Sequence, residues 1–171
     1  MQLVSSFASS KGRFEIYQAL VSLGDAALPA LRNGLKDENW IIRHWSAICL
    51  DRLADANALQ DLIPLLHDPV DKVRLWAVHA IACDHCKDGV TCPVDVVPHL
   101  IERIETDDSV RVRRMAVIML TTDFQDPRSV PVLQQVLRKE KDAKLLLHTR
   151  EGLERLRIAG VHIVGDRKQI S

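Results

Sequence analysis

One pattern constrains this chain more than any other: an Asp, an Arg six residues later, and an aliphatic residue seven beyond the Arg. It occurs three times, as Asp37, Arg43 and Leu50, as Asp68, Arg74 and Ile81, and as Asp107, Arg113 and Leu120. Around each Arg stand a β-branched residue just before it (Ile42, Val73, Val112) and a large apolar residue two positions after it (Trp45, Trp76, Met115). Three copies in order make an internal repeat. A unit of this size cannot bury its apolar face alone and must stack on its neighbours.

The composition says what the units are made of. Aromatic residues are 4% of the 171-residue chain, and Leu, Ala and Arg are abundant without alternating Val/Ile/Thr runs, which favours helices over sheets. Lys plus Arg and Asp plus Glu are both 23, giving a formal net charge of zero. A balanced chain has no bulk attraction to nucleic acid or anionic membrane, so either would need a local basic patch. The first residues carry no basic stretch before a long apolar run, and no segment approaches the length of a bilayer span. A cytoplasmic protein is the expectation.

Read in order, residues 1–25 form an atypical opening hairpin, with Leu3, Val4 and Phe7 on one helix and Phe14, Ile16, Tyr17, Leu20 and Leu23 giving the second its face. Gly24 closes it. Four repeats follow, at 26–57, 58–93, 94–128 and 129–160, and then a tail at 161–171. Proline opens several first helices, as in Leu28-Pro29, Val97-Pro98 and Val130-Pro131, where its missing N–H costs nothing. The fourth repeat pairs Val132, Leu133, Val136 and Leu137 with Leu145, Leu146, Leu153 and Leu156, and it loses its Arg around His148 to Arg150. The expected fold is a single all-α domain, a right-handed α-solenoid of about four to five helical hairpins.

The turn Asp, the helical Val-Arg and the following Ala and Leu together resemble the HEAT repeat in its short bacterial form. Arg43 to Arg74 is 31 residues, below the roughly 40–47 of full-length HEAT units. Arg74 to Arg113 is 39, so eight extra residues enter between Cys83 and Asp95. The resemblance implies a scaffold shared by adaptors, phycobilin lyase subunits, deoxyhypusine hydroxylase and alkylpurine DNA glycosylases. A di-iron hydroxylase site needs His-Glu pairs, and no His here precedes Glu. A glycosylase-like cleft would have to use Trp40, Trp45 and Trp76 with Arg111, Arg113 and Arg114. Trp45 and Trp76 share the position of Met115, which reads as core packing. The recurrent Arg43, Arg74 and Arg113 read as a ladder, each reaching a turn Asp or a carbonyl of an adjoining layer.

A non-catalytic scaffold or adaptor holding a protein partner on the concave helical face is the leading expectation. The alternative is nucleic-acid binding or a DNA-glycosylase-like role. The eight extra residues carry a second candidate, because Cys83, Cys86 and Cys92 fall there and His79 precedes them by one helical turn. Spacings of four and three put His79, Cys83 and Cys86 on one helical face if the helix continues, with Cys92 returning from the loop. Such a Cys₃His set suits tetrahedral zinc. Reduced thiols, a redox-active pair and a Cys86–Cys92 disulfide are the alternatives, the last disfavoured in a reducing compartment.

Overall fold

The computed structural model describes residues 2–9, 11–53, 55–83, 86, 90 and 92–163. Most of the extra residues after Cys83, and the tail from 164, lie outside this set. The described residues are helical, without a strand. They divide into two compact units, Met1–Val96 and Val97–Ser171. Where the sequence reads as one continuous domain, the division falls where the extra residues interrupt the repeat.

In the first unit, α1 (Gln2–Ser5), a 3₁₀ turn (Ser6–Ala8) and α2 (Arg13–Leu23) make the opening hairpin. Gly24 ends α2 with a positive φ of 57°, a conformation open to glycine. The face expected for α2 is corrected: Leu20 is buried, whereas Phe14 and Leu23 are exposed. The hairpin is anchored from the other side, since Val4 and Phe7 are buried and Phe7 stacks on Trp45 with centroids 5.4 Å apart. The next layer pairs α3 (Leu28–Gly34) with α4 (Trp40–Leu53). The layer after that pairs α5 (Ala56–Leu62) with α6 (Asp71–Ala82). Pro64 cannot donate to the Gln60 carbonyl, and α5 tightens into a 3₁₀ turn over Ile63–His67.

In the second unit, α7 (Val97–Thr106) pairs with α8 (Val110–Met119). The end of α8 widens into a π turn, Leu120–Phe124. The last layer is α9 (Val130–Lys139) and α10 (Ala143–Ile158). Leu137, expected to face inward, is corrected: it is exposed in the last turn of α9, beyond the buried Val132, Leu133 and Val136. Small or branched side chains recur at one position of every second helix: Ser46, Ala77, Ala116 and Thr149, all fully buried. Their smallness brings helices close together. A Cβ added to Gly152 of α10 would lie 2.6 Å from Thr121.

Candidate functional site

The repeated turn shows why Asp and Arg recur together. Asp37, Asp68 and Asp107 each accept, through Oδ1, the backbone N–H two residues on, from Asn39, Val70 and Ser109 at 2.8–2.9 Å. That bond closes an Asx turn and sets the start of the second helix. Six residues later the Arg folds back, and Nη1 of Arg43, Arg74 and Arg113 donates to the carbonyl of its own turn Asp at 2.8, 2.8 and 2.9 Å. The guanidinium also reaches forward. Arg43 donates from Nε and Nη2 to both carboxylate oxygens of Asp68 in the next layer, and Arg113 donates to Glu140 at 2.6 Å.

Glu140 is a residue the sequence pattern hides. Its carboxylate accepts the N–H groups of Lys141 and Asp142, so it serves the fourth turn as Asp serves the others. Those bonds, and Arg113, hold its pKa below the ordinary 4.5. Counting six residues from Glu140 places the missing Arg at Leu146, which corrects the expected location around His148 to Arg150. The neighbouring Arg114 pairs with Asp142 at 3.0 Å. Of the three arginines that a glycosylase-like cleft would have to use, two are thus engaged with carboxylates, and only Arg111 is an exposed side chain of α8.

The tryptophans stand differently from expectation. Trp45 and Trp76 are half-buried and absent from the core, as is Met115 at the same position of α8. The reason is helical register: the inward stripe of α4 runs through Ile42, Ser46, Cys49 and Leu50, and Trp45 lies at its edge. On this face of α4 and α6, rings follow one another. Trp40 contacts His44 at 6.1 Å between centroids, His44 contacts Trp45 at 6.1 Å and Trp76 at 6.4 Å, and Trp76 contacts His79 at 5.3 Å. Lys72 Nζ sits 5.4 Å from the centre of the Trp40 ring. Burial, aided by the charges of Lys72 and Arg13, lowers the His44 pKa, so the row carries a neutral imidazole at pH 7.

The row ends at a cluster of groups able to hold a metal. Ligand atoms of His79, Cys83 and Cys86 all lie within 4.8 Å of one another, although α6 stops at Ala82 and Cys83 is extended, with φ −81° and ψ 101°. The Cys83 N–H still bonds the His79 carbonyl at 2.8 Å, which turns the thiol back toward the imidazole. Cys83 and Cys86 are thiols, with Cys83 Sγ donating to Cys86 Sγ at 3.1 Å. Cys92, expected as the fourth member, is not part of this group; it lies beyond residues 87–89 and 91, which fall outside the described set.

Behind the imidazole stands Asp51, which the sequence pattern does not single out. Its Oδ1 lies 3.0 Å from His79 Nδ1, and the residue is only 4% exposed. A carboxylate accepts, so Nδ1–H is the donor to Asp51 and Nε2 is the ring nitrogen left for another partner. Burial pushes the Cys86 thiol up to about 12, with Cys83 and the negative charge of Asp51 adding to the effect. Burial does the same to Cys49 in the core, again to about 12. Neither thiol is an activated nucleophile in this state.

Comparison with known proteins agrees with this architecture. The HEAT repeats family matches residues 2–82. Comparison with curated proteins finds no match. Among solved structures, the chain is similar to a crystal structure titled as an engineered protein from the Northeast Structural Genomics Consortium. The TM-score is 0.57 at 18% identity, covering 91% of this chain and 78% of that one. At that identity the likeness speaks for the fold alone. Among the described residues no helix is long and apolar enough to cross a membrane. The repeated turn and the stacked hairpins agree with that match: the chain is an all-α solenoid-class repeat protein whose residues 2–82 are similar to HEAT repeats.

Proposed function

We propose that the chain is a non-catalytic cytoplasmic adaptor whose first unit binds a protein partner on the face of α4 and α6. HEAT repeats commonly serve as protein-interaction scaffolds. The observation that carries the reading here is the row of half-buried rings, Trp40, His44, Trp45 and Trp76, along neighbouring second helices. Tryptophans held by packing yet partly open to solvent are the residues from which interfaces draw most of their energy, because they lose little conformational entropy on binding. Lys72 over Trp40 adds one cation that an acidic partner residue would meet.

Nucleic-acid binding is the competing reading. The commitment of Arg113 and Arg114 to Glu140 and Asp142 disfavours it, since a phosphate would have to displace those carboxylates. Titration with short duplex and single-stranded DNA at low and moderate salt separates the two. The adaptor reading expects no binding at moderate salt, and tight, steeply salt-dependent binding would replace it with the alternative.

A further inference from the structure

We propose that His79, Cys83 and Cys86 form a zinc-class metal site with three protein ligands, in which the buried Asp51 positions the imidazole. The proposal rests on where these groups sit, and is independent of the partner-binding reading.

Three features point to a cation. First, the ligand set is one imidazole and two sulfurs, the soft and borderline donors that zinc selects. On a tetrahedral zinc, two sulfurs at about 2.3 Å from the ion stand roughly 3.8 Å apart. Cys83 and Cys86 at 3.1 Å, inside a cluster no wider than 4.8 Å, need only a side-chain adjustment to meet this. Second, the Asp51–His79 contact is the arrangement that metal-bound histidines ordinarily show: a carboxylate holds Nδ1–H, fixing the ring and making Nε2 a better donor. Third, the charge environment is negative. Asp51 belongs to the last turn of α4 and His79 to the last turn of α6, so two helix C-termini converge here with a buried carboxylate. Such a place favours a cation and opposes a bare thiolate.

The same feature separates this site from a redox CxxC pair. Dithiol nucleophiles gain their thiolate from a helix N-terminus or a neighbouring cation. Here Cys83 follows the C-terminus of α6, which opposes sulfur anions, and the bound ion supplies the charge that stabilises them. Binding releases the two thiol protons to solvent as Cys83 and Cys86 become thiolates, and His79 donates through Nε2. Cys92 is not needed. Among the described residues no fourth ligand joins the group, and the metal holds the end of α6 to the end of α4 through His79 and Asp51.

The test uses the full chain kept under a non-thiol reductant, with zinc and cobalt(II) as probes. The proposal expects one equivalent of zinc per chain. Cobalt should give tetrahedral visible bands and near-ultraviolet charge-transfer intensity for two thiolates. Cys92→Ser should keep both signals. Cys83→Ser with Cys86→Ser should lose stoichiometric zinc and the charge-transfer bands, and circular dichroism confirms that the chain is still helical. Asp51→Asn should keep the two-thiolate spectrum but weaken zinc about 10–100-fold in competition with a chromophoric chelator. Failure of reduced wild-type protein to develop the cobalt charge-transfer bands would overturn the site. Loss of metal on Cys92→Ser would overturn the three-ligand composition, and unchanged affinity in Asp51→Asn would overturn the role given to the carboxylate.

Discussion

Arg43 of α4 and Asp68 of the following layer form a two-point fork, with Nε and Nη2 of the guanidinium 2.6 and 3.0 Å from the two carboxylate oxygens. The side chains are 13% and 5% exposed, so the pair is largely out of solvent. The same Asp68 closes its own turn and the same Arg43 caps the Asp37 carbonyl, which makes one pair the joint between two layers. Removing either partner strands the other. Arg43→Ala is expected to cost about 3–5 kcal/mol of unfolding free energy. Asp68→Asn should cost less on its own, and much of its effect should vanish in the Arg43→Ala background. Urea unfolding of the four proteins measures the coupling, and additive costs would contradict a joint.

Gly34 and Ser46 meet where α3 crosses α4. A Cβ at Gly34 would overlap Ser46 Oγ and lie 2.9 Å from Val4 Cγ1. Gly34→Ala is therefore expected to destabilise by about 1–3 kcal/mol despite the better helix propensity of Ala. Among the described residues the buried Ser46 hydroxyl has no hydrogen-bond partner, so Ser46→Ala should be neutral or slightly stabilising and should relieve part of the Gly34→Ala penalty. Denaturant midpoints of the single and double variants decide this.

Phe7 joins the opening hairpin to the rest of the first unit by stacking on Trp45 and being fully buried. Phe7→Ala should cost about 3–5 kcal/mol. It should also expose the indole it covers, read as a red shift of tryptophan emission under native conditions. Native-like emission with unchanged stability would show that the hairpin is not docked through this ring.

Glu140 gives the second unit a pH dependence of known sign. Its folded pKa is depressed below 4.5 by the backbone N–H groups of Asp142 and Lys141 and by Arg113. A depressed carboxylate contributes stability above its unfolded pKa and loses that contribution as pH falls through the folded value. Unfolding free energy should therefore drop on going from pH 6 toward pH 3, and Glu140→Gln should show a shallower drop over that window. Parallel profiles for the two proteins would contradict the contribution.

Much of this was legible in the sequence because the repeat carries the register with it. Once Asp, Arg and the closing aliphatic align, the inward positions of α4, α6 and α8 follow, and the buried Ile42, Val73 and Val112 and the buried Leu50, Ile81 and Leu120 agree with that alignment. What escaped is what the repeat does not encode. Glu140 plays the turn role with a different residue type, which an Asp-based pattern passes over. Trp45 and Trp76 share a repeat position, but sharing a position does not tell a core stripe from its edge when both favour large apolar side chains. Asp51 belongs to one layer and His79 to the next, a pairing across layers for which spacing within a helix holds no signal. The separation of His79, Cys83 and Cys86 was readable, whereas their convergence after α6 has ended depends on the backbone turn at Cys83.

The central claim is that the aromatic face of α4 and α6 binds a protein partner, and it is tested most directly by quantitative affinity capture from native extract followed by measured affinity for the recovered protein. Trp40→Ala and Trp76→Ala are the informative variants, with Leu137→Ala, an exposed residue of α9, as the control. The account predicts one stoichiometric protein bound by the wild type and the control. Each Trp variant should lose about 2 kcal/mol of binding, roughly thirtyfold in Kd, while keeping wild-type helicity. Equal affinity for wild type and both Trp variants, or retention only of nucleic acid that moderate salt removes, would contradict it.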